Sequence, residues 1–122
     1  MLDVLIVDDE KLQRTILSFM LKKYIPKITY EDAEDGNFAI EKVLNNEIKL
    51  ILMDITMPNC DGIEATKMIR MMNTDVLIYA YTAAHVNSKF KTECKKVGMD
   101  GFFTKPIKEE NILQIKKLIG FK

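Results

Sequence analysis

Four places in this chain carry side chains that could act together: the pair Asp8-Asp9, the single Asp54, Thr82, and the pair Thr104-Lys105. Taken singly they are ordinary. An Asp after a strand caps a helix or shapes a turn, and a Thr or Lys there is solvated. Brought to one rim they become a reaction site, because three carboxylates within a few ångströms raise one another's pKa unless a cation neutralises them. An all-oxygen cluster with open water positions suits Mg²⁺. Such an ion beside a free carboxylate, a lysine ammonium and a hydroxyl is equipment for holding a phosphoryl group. The positive charges spread over its oxygens, and the carboxylate attacks phosphorus. The chemistry implied is phosphoryl transfer to an aspartate.

Only the fold can bring these residues together. The runs Val4-Leu5-Ile6-Val7, Leu50-Ile51-Leu52-Met53 and Val76-Leu77-Ile78-Tyr79-Ala80 are too short for helices and do not alternate, so they predict strands buried on both faces. The mixed stretch from Ile28 to Ala33 and the short Gly101-Phe102-Phe103-Thr104 predict edge strands. Between the strands lie apolar stripes at helical spacing. They are Leu12, Ile16, Phe19 and Met20; Ala39, Val43 and Leu44; Ala65, Met68, Ile69 and Met72; and Ile112, Ile115, Leu118 and Ile119. A weaker helix is expected from Asn87 to Val97, closed by Gly98, with Asp61 as N-cap of the helix before it and Pro106 ending the last strand. The pattern is (βα)₅, an α/β architecture with a doubly wound parallel sheet covered on both faces. Ligands in such sheets gather at the carboxyl ends of the strands, where all four places fall.

The 122 residues allow one domain, spanning 1–122. With 48% hydrophobic and 30% charged residues the chain can bury a core, which excludes a disordered tail. The longest strictly apolar run, Val76 to Tyr81, is far short of a transmembrane helix, and the N-terminus lacks the pattern of a signal peptide. The expectation is a cytoplasmic protein without membrane contact. Cys60 and Cys94 form no metal or disulfide pattern and read as free thiols. Net charge is zero, so no nucleic-acid partner is expected. Residues 1–61 carry 12 acids and 7 bases (−5) and residues 62–122 carry 6 acids and 11 bases (+5), a split that fits an acidic site and a solvated basic surface.

The combination Val7-Asp8-Asp9-Glu10, Met53-Asp54-Ile55-Thr56-Met57-Pro58-Asn59-Cys60-Asp61-Gly62, Thr82-Ala83 and Lys105-Pro106 resembles the receiver domains of two-component response regulators, over Val4 to Ile119. The resemblance implies a flavodoxin-like five-stranded sheet of order 2-1-3-4-5, for which the chemotaxis member of the family is a standing example. It implies that Asp54 is the phosphoacceptor, that Asp9 binds Mg²⁺ directly with Asp8 acting largely through its water, and that Asp54 and the Thr56 carbonyl complete the protein ligands. Lys105 would pair with a phosphoryl oxygen, and its bond to Pro106 would be cis. Thr82 resembles the switch hydroxyl, assisted by the Ala83 amide, and Phe102 the switch aromatic. Cys60 departs from the Met or Leu frequent in that loop and reads as loop packing. His85, the single histidine, lacks the helical setting of a phosphoryl donor. Met68, Met71 and Met72 read as core or helix-flank residues. Neither Thr56 nor Ala84 can orient a hydrolytic water, so slow loss of the phosphoryl group is expected.

The implied function is a phosphoacceptor in a two-component or phosphorelay pathway. A histidine kinase or histidine phosphotransfer protein donates, and the added charge switches the face of the fourth helix, fifth strand and fifth helix, which carries Lys89, Lys91, Lys95, Lys96 and Lys108. The domain would catalyse its own phosphorylation and dephosphorylation while serving mainly as a switch for an unspecified effector. It would be a stand-alone shuttle or a receiver from a larger hybrid kinase, which the stretch Gly98 to Phe102 resembles. The alternatives are a degenerate receiver acting as a binding module, against which the full acidic set argues, and a haloacid-dehalogenase-type phosphatase. The latter usually has a second Asp two residues past its nucleophile, where this chain has Thr56.

Overall fold

Runs of Val, Leu and Ile that lack alternation are stable as strands only where both faces are covered. The computed structural model, which describes residues 1–55, 57, 61–72, 75–82 and 88–121, covers them in this way. Strands β1 (Leu2–Val7), β2 (Tyr30–Ala33), β3 (Ile48–Met53), β4 (Leu77–Thr82) and β5 (Gly101–Thr104) form one parallel sheet in the order β2-β1-β3-β4-β5. They alternate with helices α1 (Lys11–Tyr24), α2 (Gly36–Asn45), α3 (Gly62–Met71), α4 (Ser88–Val97) and α5 (Glu109–Leu118). This is the architecture and strand order expected from the sequence.

Alternate residues of each strand feed opposite layers. Leu5, Val7, Ile51, Met53, Ile78 and Ala80 pack with Ala39, Ala65, Ile69 and Cys94 from α2, α3 and α4. Val4, Ile6, Leu50, Leu52 and Tyr81 pack with Leu17, Leu21, Ile112 and Ile115 from α1 and α5. β2 begins two residues later than expected. The Ile28 amide closes a turn on the Ile25 carbonyl, and the Thr29 amide and hydroxyl both bind the Asp3 carboxylate.

The α1 stripe differs from expectation. Leu17 and Leu21 face the sheet, and burying each contributes about 2 kcal/mol. Of the expected stripe, Met20 packs against this layer, whereas Leu12, Ile16 and Phe19 are 68%, 46% and 68% exposed. Both sets have helical spacing, and only one can face the core. The buried pair is the one that packs with Val4 and Ile6 of β1 and Ile112 and Ile115 of α5. Leu44 of α2 and Met68 of α3 also lie outside the core, whereas Met72 packs against it.

The caps hold the loops that carry polar residues. Asp61 accepts the Glu64 amide at 2.8 Å, as expected, and Asp35 accepts the Phe38 amide at 3.0 Å. Gly98 follows α4 with φ 110°, a conformation open chiefly to glycine. Gly62 is required for a different reason: a Cβ there would lie 2.1 Å from the Asp54 carbonyl oxygen. The loop after β3 therefore returns directly against the backbone of Asp54.

Candidate functional site

Register determines the site. Val7 pairs with Met53 and Met53 with Ala80, so the next residues, Asp8, Asp54 and Tyr81, form a row at the carboxyl edge of the sheet. The Asp54 amide donates to the Val7 carbonyl at 2.9 Å and the Asp8 amide to the Ala33 carbonyl at 3.1 Å, so the backbone under both carboxylates is fixed. Asp8 is fully buried and Asp54 is 6% exposed.

Lys105 reaches this row from the far edge of the sheet. Its amide donates to the Thr82 carbonyl at 2.9 Å, and the Lys105-Pro106 peptide is cis, as expected. The side chain crosses back so that Nζ lies 2.7 Å from Asp8 Oδ2 and 3.5 Å from Asp54 Oδ2. The other Asp8 oxygen accepts the Glu10 amide at 2.9 Å. Nζ also stands over the Tyr81 ring, 4.7 Å from its centroid. Burial, reinforced by the negative charges of Asp8 and Asp54, pushes the Tyr81 phenol up to about 12, so it is neutral beside them.

The acidic side of the site is built by the loop entering α1. Oxygens of Asp8, Asp9 and Glu10 lie within 4.8 Å of one another, with Asp9 and Glu10 exposed. All donors are hard carboxylate oxygens, which suits a divalent cation such as Mg²⁺ or Ca²⁺ better than a soft one. The residues present therefore fit a bound Mg²⁺.

Two members of this site were not foreseen. Glu10 joins the acidic cluster because the turn after β1 folds it back onto Asp8. Arg14, in the first turn of α1, donates from Nη1 to the Asp8 carbonyl at 2.6 Å and from Nε to Asp32 at 3.0 Å. A cation there opposes the helix dipole unless it is paired, and that is the signal a sequence reading could have used.

Thr82 ends β4, buried at the same rim, opposite Thr104 of β5. Phe102 is half-buried against the α2–α4 layer, with the Lys91 ammonium 4.9 Å from its ring centroid. The expected ligand Thr56, the expected helper Ala83, and Cys60, Ala84 and His85 lie outside the described residues. Cys94 is a buried free thiol whose pKa is raised by burial and by the neighbouring Glu93.

Comparison with known proteins identifies the fold. The family described as response regulator receiver domain matches residues 4–117. The chain is 34% identical to the chemotaxis protein CheY of Halobacterium salinarum, covering 90% of this chain and 89% of that protein. It is also 34% identical to the probable histidine kinase 4 of Oryza sativa subsp. japonica, where it covers 97% of this chain but spans only 14% of the kinase. Among solved structures, the co-crystal of the Saccharomyces cerevisiae histidine phosphotransfer signaling protein Ypd1 with the receiver domain of its downstream response regulator Ssk1 matches with a TM-score of 0.86. That match has 29% identity and covers 96% of this chain and 88% of the other. A sequence match of this extent, on the fold these relatives share, makes the chain a member of the response regulator receiver domains.

Proposed function

We propose that this domain takes a phosphoryl group onto Asp54 from a phosphohistidine donor and that the new charge switches the surface of α4, β5 and α5. The observation that supports this most is the Lys105 ammonium held between the buried carboxylates of Asp8 and Asp54. In the transfer, an Asp54 oxygen bonds to phosphorus as the bond from phosphorus to the donor imidazole nitrogen breaks, and the electron pair leaves with the imidazole. Lys105 turns from Asp8 toward the phosphoryl oxygens and offsets their charge. Asp8, Asp9 and Asp54, with the Thr56 carbonyl, would hold Mg²⁺, which supplies further charge neutralisation at the phosphoryl group when bound. The Thr82 hydroxyl and Ala83 amide then bind the phosphoryl oxygens, and Phe102 follows Thr82 inward, carrying the change to the lysine-rich face.

The donor is a histidine kinase or a histidine phosphotransfer protein, a reading supported by the likeness to the receiver that Ypd1 engages. Its docking surface is the exposed stripe Leu12, Ile16 and Phe19 on α1, which begins immediately after the acidic loop. The chain acts as one receiver unit over 1–122, in the cytoplasm, on an effector that its own chemistry leaves open.

Incubation with a phosphorylated histidine phosphotransfer protein and Mg²⁺ tests the reading. The wild type takes up label and Asp54→Asn does not. Equal uptake by the Asn variant would overturn Asp54 as acceptor.

A further inference from the structure

We infer that Tyr81 is a positioning residue for Lys105: its ring face is the third wall of a socket that holds the ammonium level with the Asp54 carboxylate. The inference rests on the reading of Lys105 as the cation that meets the phosphoryl group.

A lysine head on a flexible four-carbon stem is placed only by what surrounds it. Here the ammonium is largely buried and meets Asp8 at 2.7 Å, Asp54 at 3.5 Å and the ring centroid of Tyr81 at 4.7 Å. The contact with Asp8 is a short hydrogen bond and that with Asp54 a longer ion pair, so the carboxylates alone favour the Asp8 side. An aromatic face supplies an opposing attraction, stronger in a desolvated setting than in water. The ring cannot turn away. Tyr81 is 2% exposed and packed in the layer of α1 and α5, and it pairs across the sheet with Phe103. It also stands next to Asp54 in the row of strand ends, and from there its ring lies under Nζ.

The phenol stays neutral, so the wall adds no negative charge to the site. A ring face also tolerates small displacement better than a hydrogen bond does. The ammonium can therefore swing from Asp8 toward an incoming phosphoryl group without losing this contact. An aliphatic side chain would fill the same space and attract nothing.

The test uses the full chain with lysine labelled at Cε, comparing wild type, Tyr81→Phe, Tyr81→Leu and Lys105→Ala. One readout is the ring-current shift of the Lys105 ε-methylene, assigned by its loss in Lys105→Ala. The other is the rate of phosphoryl uptake from acetyl phosphate at saturating Mg²⁺. Wild type and Tyr81→Phe should show the shift and equal rates. Tyr81→Leu should lose the shift and slow uptake by about tenfold, with Mg²⁺ affinity unchanged. Lack of the shift in wild type overturns the inference even if the Leu variant fails to fold, and so does a Phe variant as slow as Leu. If Lys105→Ala is slow while a folded Tyr81→Leu matches wild type, the positioning role alone is wrong. If Lys105→Ala itself matches wild type, the underlying reading of Lys105 falls.

Discussion

Asp8 binds the Lys105 ammonium with one oxygen and the Glu10 amide with the other, so a single carboxylate ties the far edge of the sheet to the turn into α1. Asp54 was legible in sequence because it directly follows an apolar run, and Lys105 because it directly follows the short predicted strand Gly101-Phe102-Phe103-Thr104. Tyr81 was not, because it lies inside such a run and reads as core; its relation to Lys105 depends on strand register, which a single sequence does not specify. Another buried acid, Asp3, works on stability at the opposite end of β1. Burial alone would raise its pKa, but the Thr29 amide, Lys49 and the Thr29 hydroxyl together hold it below the ordinary 3.8. A depressed folded pKa means that the stabilisation is complete above pH about 4 and is lost as pH falls through the folded value. Asp3→Asn should therefore be less stable than wild type at pH 7, with the gap closing in more acid solution. Urea midpoints measured across that range check this, and a gap independent of pH would contradict it.

At the scale of elements, the strand order came from the resemblance to receiver domains and the caps from the residues themselves, while the helix faces were read less well. Asp61 and Gly98 act locally and could be read locally. The facing of α1 could not, because Leu12, Ile16 and Phe19 compete at the same periodicity with Leu17 and Leu21. The exposed set yields a prediction. Leu12→Ser with Phe19→Ser should slow phosphoryl transfer from a phosphohistidine protein by at least tenfold, about 1.4 kcal/mol of barrier. The same pair should leave uptake from acetyl phosphate unchanged, since exposed substitutions typically alter stability by less than about 0.5 kcal/mol. Equal slowing with both donors would place the defect in the site and not in docking.

For the whole molecule, the acidic first half and basic second half meet at this rim, where Lys105 answers carboxylates from β1 and β3. If Asp8 and Asp9 hold Mg²⁺ as proposed, stability should depend on the metal. Mg²⁺ at a hundred times its Kd should add about 2.7 kcal/mol to wild type, seen as a rise in Tm. Asp9→Ala should lose most of that rise, yet melt higher than wild type in EDTA because one of three crowded like charges is gone. An equal rise in the variant would remove Asp9 from the ligand set. The central claim, that phosphoryl transfer ends on Asp54, is tested most directly by chemical trapping. After reaction with acetyl phosphate and Mg²⁺, borohydride reduces an aspartyl phosphate to homoserine, and peptide mass mapping locates the change. The account predicts homoserine at position 54 alone; homoserine at position 8 or 9, or a stable phosphoryl group on His85, would contradict it.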